Sequence, residues 1–126
     1  PLAMAAGLKT LEIISRPGFF EELNTKSNWF FDELNQLIKE AELPLSLNYV
    51  NSIVCLFFRR GGVVNFKQAV QSNTDLFATY FRLMLQKGIY LAPSQFEAMF
   101  ISSAHSKKDL NYTLETIKEV LTSLFT

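Results

Sequence analysis

The side chain whose type and setting best suit chemistry is Glu97. It lies in "GIYLAPSQFEAMFISSAHS", residues 88–106, where it is the one formal charge. A carboxylate in a stretch that otherwise reads as protein interior is costly unless it meets a cation or a set of donors, or takes up a proton. Two readings stand side by side. One is a structural salt bridge to an arginine or lysine of the fold. The other is a pocket carboxylate that receives a ligand amine. His105, eight residues on, reads either as a structural histidine bonding a backbone carbonyl at a helix start, or as a catalytic imidazole whose partner group is not visible. Arg59 and Arg60 beside Gly61 and Gly62 read as an anion-holding loop or a solvated strand end. Cys55, the single cysteine, sits in an apolar run and reads as a small core hydrophobe, without the open, electropositive setting of a reactive thiol.

Other chemistry is missing. One histidine and one cysteine do not make a zinc set. No glycine-rich phosphate loop and no nucleophile-elbow serine occurs. On residue chemistry alone the domain is not a self-sufficient enzyme. The 126 residues suit one domain with its own core, and 48% hydrophobic with 19% charged residues makes it globular. Formal net charge is zero, so nothing favours nucleic acid. No apolar run approaches the ~20 residues of a membrane span. With no partner for Cys55, an intracellular setting is expected.

These groups must be placed by helices and strands. Met4, Leu8 and Leu11 set a helical rhythm over residues 2–15, which Pro17 and Gly18 break. Because that rhythm starts at once and Pro1 is not an initiator, the chain is expected to begin at a cut. A second helix is expected over 19–42, with Leu23, Phe30, Leu34, Leu37 and Ala41 on one face. Trp29 and Phe31 flank that stripe, either as a wide core face or as a docking surface for protein lying elsewhere. Residues 45–49 and 53–58 read as strands joined at Asn51 and Ser52, the second covered on both faces. Residues 63–73 read as a connecting loop. A helix over 75–87 is capped by Ser72, Asn73 or Thr74, presents Phe77, Phe81, Met84 and Leu85, and ends at Gly88. Residues 89–91 and 96–102 read as extended, with Phe96, Ala98 and Phe100 facing one way and Glu97, Met99 and Ile101 the other. Ser106 and Asp109 form a capping box for a last helix carrying Leu110, Leu114, Ile117, Leu121 and Leu124. The expected fold is α+β: a small, mostly antiparallel sheet of three or four strands packed with helices.

The segments "PLAMAAGLKTLEII", "RPGFFEEL", "VNSIVCLFF", "NFKQAVQSNTDLFATYFRLMLQKGIYLAPSQFEAMFISSAHS" and "DLNYTLETIKEVL" resemble, in order, the glutamate-1-semialdehyde 2,1-aminomutase family of class III, fold-type-I pyridoxal-phosphate aminotransferases. The resemblance implies a C-terminal fragment. Residues 1–16 would be the connector helix from a missing N-terminal cofactor domain, and 17–126 the small C-terminal domain that packs on it. That partner would also cover Trp29 and Phe31. It implies an enzyme that converts glutamate-1-semialdehyde to 5-aminolevulinate for tetrapyrroles, using pyridoxal or pyridoxamine 5′-phosphate, as a cytoplasmic or plastid homodimer. The cofactor lysine and phosphate-binding residues would lie outside this chain, which alone is expected to be inactive, with no cofactor-binding or catalytic residue of its own. Glu97, with Ser94 and Gln95 before it, would line the substrate wall. Met99 departs from the glycine common in the family. Another class III omega-aminotransferase is the alternative, disfavoured because no arginine lies within residues 88–104 to take a substrate carboxylate. A freestanding, non-enzymatic α+β interaction module is the third reading.

Overall fold

The structure is a computed structural model and describes residues 1–125. Helix α1, Leu2–Ile14, buries none of its residues, and Leu2, Met4, Leu8 and Leu11 stand exposed. Gly18, at φ 85°, takes the left-handed turn into α2, Phe19–Glu40, which a side chain would resist. Buried Phe30, Phe31, Leu34 and Ile38 recur on the inner face of α2. The helix ends with Glu42 left-handed (φ 49°) and the Leu43 N–H reaching back to the Ile38 carbonyl at 3.0 Å, just before Pro44.

Strands β1, Ser46–Val50, and β2, Ile53–Phe57, form an antiparallel hairpin closed by Asn51 and Ser52, with Asn51 at φ 52°. A two-residue strand β3, Met99–Phe100, pairs with Ile53 and Val54 and completes the order β1-β2-β3. The period of two splits β2 between two layers. Val54 and Leu56, with Phe58 just beyond, join the main core with α2, α4 (Thr74–Gln86) and α5 (Lys107–Phe125). Cys55 and Phe57 point to the opposite face, where Val63 and Ala69 cover them. Both faces are therefore covered from Val54 onward, while Ile53 at the hairpin end stays exposed. Phe31, Leu56, Tyr80, Met84 and Leu121 are sealed at the centre, each worth roughly 1.5–3 kcal/mol of transfer free energy.

Four expectations change. Residues 63–73 contain a one-turn helix α3, Phe66–Ala69, because Asn65 caps it by accepting from the Gln68 N–H. Residues 89–91 form no strand. The Ile89 N–H is taken by the Met84 carbonyl at the end of α4, behind Gly88 at φ 81°, and is not free to pair. The inner face of α4 is Phe77, Tyr80 and Met84, while Leu85 is exposed. Of Trp29 and Phe31, the second belongs to the core of this chain. Phe31 is fully buried with its ring 4.9 Å from that of Tyr49, and the Lys107 ammonium lies 3.0 Å from the centroid of the half-buried Trp29.

Candidate functional site

After α4 the chain crosses the open edge of β2 and turns at residues 94–97. The Glu97 N–H bonds the Ser94 carbonyl at 3.1 Å, and Ser94 Oγ accepts from the Phe96 N–H at 3.2 Å. Gln95 is the buried member of the turn. Its Nε2 donates to the Leu56 carbonyl at 2.7 Å and its Oε1 accepts from the Phe58 N–H at 3.0 Å. The Cys55 thiol donates to the Glu97 carbonyl at 3.6 Å. The turn is thus held to β2 from both sides.

That clamp sends Glu97 outward. Its side chain is exposed, not buried, and it joins neither ion pair found among the described residues, Lys9–Glu12 and Lys87–Glu119. The salt-bridge reading of Glu97 is accordingly replaced: a turn, rather than a strand, carries the carboxylate to the surface. The expected alternation begins only past it, with Ile101 buried and Phe100 exposed. Beside the turn opens a cavity of about 580 Å³ between the sheet and the helices. Glu97, His105 and Asp109 line it, with Leu34, Leu56 and Met99 among its apolar walls.

His105 Nδ1 accepts from the Ser102 N–H at 3.1 Å, so it bonds a backbone donor where a carbonyl was expected, and the neutral ring carries its proton on Nε2. Lys26 ties this loop to α2 through the Ser103 and His105 carbonyls at 3.0 and 2.8 Å. Asp109 closes the capping box, accepting from the Ser106 N–H and Oγ at 2.8 and 2.6 Å, and these bonds hold its carboxyl below the usual range. Burial pushes the Cys55 thiol up. Arg59 and Arg60, just past β2, donate to the carbonyls of Gly62 and Glu42.

The structure therefore brings Glu97 to the cavity. Ser94 and Gln95 stay beside it on the turn without lining it, and both amide heavy atoms of Gln95 are engaged with β2. Tyr80 also lines the cavity and was missed, although Phe77, Tyr80 and Met84 follow helical spacing of three and four. No lysine and no arginine lines the cavity, so it offers neither an amine for a pyridoxal aldehyde nor a cation for its phosphate. The residues that line this cavity do not fit that cofactor. No group of three or more metal-ligating side chains occurs among the described residues, and none of the described helices is long and apolar enough to cross a membrane.

The fold matches part of solved transaminase structures. It matches an omega-transaminase from Sphaerobacter thermophilus with a TM-score of 0.80 at 14% identity, over 100% of this chain and 28% of that one. A glutamate-1-semialdehyde-aminomutase from Pseudomonas aeruginosa matches with a TM-score of 0.76 at 14% identity, over 87% and 24%. No protein-family profile matches. Sequence narrows the class. The chain is 47% identical over 122 residues to glutamate-1-semialdehyde 2,1-aminomutase of Ruminiclostridium cellulolyticum, and 46% identical over 115 residues to that of Syntrophobacter fumaroxidans. These stretches cover 96% and 91% of this chain. The chain spans 28% and 27% of the length of those two relatives. Over the stretch they share, it is similar in sequence to the glutamate-1-semialdehyde 2,1-aminomutases.

Proposed function

We propose that the chain is the C-terminal part of a glutamate-1-semialdehyde 2,1-aminomutase, and that the whole enzyme converts glutamate-1-semialdehyde to 5-aminolevulinate for tetrapyrrole synthesis as a cytoplasmic homodimer. The observation that carries this is the 47% identity over 96% of the chain. Residues 1–16 are the connector to a cofactor-bearing domain, a role in keeping with the exposed apolar side chains of α1. Residues 17–126 are the small domain. Pyridoxal-phosphate chemistry belongs to residues outside this chain.

Within that enzyme Glu97 faces the substrate. An exposed carboxylate without a partner, on a turn bonded to β2 at Gln95 and at the Glu97 carbonyl, is suited to receive and orient a substrate ammonium. Ser94 keeps a hydroxyl proton for the same wall. Gln95 serves it by holding the turn. A grafted enzyme tests the proposal: this chain replaces the matching 122-residue stretch of the Ruminiclostridium relative. The graft should form 5-aminolevulinate. A graft that folds, keeps its cofactor spectrum and instead moves amino groups between two substrates would support the omega-aminotransferase reading.

A further inference from the structure

Past β2 the chain exposes aromatic side chains that its own fold does not use. Phe66, in α3, is 74% exposed, and Phe96, in the 94–97 turn, is 50% exposed. Their rings lie beside each other, with centroids 6.4 Å apart. Val64 and Val70, on either side of α3, are exposed as well. Helix α3 owes its turn to the Asn65 cap and to Gln68 Oε1, which accepts from the Val64 N–H. It rests on the sheet through Val63 and Ala69, which close over Phe57 and Cys55. None of these contacts involves the Phe66 ring. A polar residue there would leave them intact and would remove an apolar patch from water.

Charge is sparse around the pair. Residues 61–73 carry only Lys67, and residues 88–106 only Glu97. Exposed aromatics with few charges describe the middle of a protein interface better than a solvated surface. Both rings also stand on fixed supports. Gln95 and the Cys55 thiol tie the 94–97 turn to β2. Val63 and Ala69 seat α3 on Phe57 of the same strand. A surface held in this way loses little freedom when it is covered.

We propose that the Phe66–Phe96 face docks on the part of the aminomutase that holds the cofactor. The inference rests on the aminomutase reading and adds to it the surface where the two parts meet. Phe96 directly precedes Glu97 in the turn. With Glu97 facing a substrate that reacts on a cofactor held outside this chain, the protein that carries the cofactor has to come against that turn. Phe96 and its neighbour Phe66 are the exposed apolar side chains it meets there. This chain spans 28% of the length of the Ruminiclostridium relative, and the remainder is ample for such a partner. The contact falls on α3 and the turn, not on Trp29 of α2, whose ring carries the Lys107 ammonium.

Hydroxyl-radical footprinting of the grafted enzyme, with no substitution, tests this, because a ring is oxidised in proportion to its contact with solvent. Phe66 and Phe96 should each react about tenfold more slowly than in the urea-unfolded graft. Tyr112, exposed on α5, should keep most of its unfolded rate. Oxidation of Phe66 as fast as that of Tyr112 overturns the docking face. So does protection that appears only as rising protein concentration forms dimers, since a second copy then covers the rings. The two readings fail separately. Protection in a graft that moves amino groups between two substrates keeps the face and rejects the aminomutase reading. Formation of 5-aminolevulinate with Phe66 unprotected does the reverse. In the same graft, Phe66→Ser should lower turnover about tenfold, and Phe66→Leu, which keeps an apolar contact, about threefold or less. Unchanged turnover in Phe66→Ser also rejects the face.

Discussion

Gln95 bonds Phe58 as a neighbouring strand would: its side-chain Oε1 takes the Phe58 N–H at 3.0 Å. Strand β3 pairs only with Ile53 and Val54, so β2 would otherwise leave backbone groups unpaired along this edge. The Gln95 carboxamide supplies the donor and the acceptor that the missing strand does not, and it fixes the turn that projects Glu97.

Gln95→Leu should therefore destabilise the domain. It keeps approximate shape and strands the Leu56 carbonyl and the Phe58 N–H, at about 1–3 kcal/mol for each buried group left unpaired. Urea denaturation followed by circular dichroism should show a lower midpoint with an unchanged slope. An unchanged midpoint would mean that water satisfies both groups.

The Ser106–Asp109 capping box should make stability depend on acid. The side-chain and backbone bonds from Ser106 lower the Asp109 carboxyl below its reference value of 3.8. A depressed folded value means that the stabilisation is fully present above the unfolded value and is lost as pH falls through the folded one. Asp109→Asn should melt below the wild type at neutral pH and converge with it in strong acid. Parallel melting curves across that range would contradict the assignment.

Several of these contacts are legible in the sequence because they are local. Ser106 and Asp109 are three residues apart, as are Asn73 and the Leu76 N–H that it caps. The hairpin at Asn51 and the glycine stop at Gly88 need only their neighbours. Asn65 and Gln68 carried the same signal for α3, with Gln68 Oε1 also accepting from the Val64 N–H, and reading 63–73 as loop passed over it. The errors at the candidate site have a different origin. Whether residues 89–101 pair with β2 depends on Gln95, some 37 residues from Phe58, and on the end of α4 claiming the Ile89 N–H. Local alternation cannot report contacts of that range, so Glu97 was expected inside and stands outside. Its part in a substrate wall came from family resemblance, not from spacing.

Cys55 should alkylate slowly. Burial raises the thiol above its reference value of 9.0, and the sulfur is held against the Glu97 carbonyl. Reaction with iodoacetamide near neutral pH should run about tenfold or more below that of a free peptide thiol, because only the thiolate reacts. A rate matching the free thiol would show that the turn opens readily and that the clamp on Glu97 is weak.

The most direct measurement is the steady-state formation of 5-aminolevulinate by the grafted enzyme, with and without Glu97→Gln, beside melting curves of the same preparations. The swap keeps shape and removes charge. Loss of one charge-assisted hydrogen bond made in the transition state should cost about 1.5–3 kcal/mol, roughly ten- to two-hundredfold in turnover, with the melting temperature and cofactor spectrum unchanged. Unaltered turnover in the variant would contradict the account and remove Glu97 from the substrate wall.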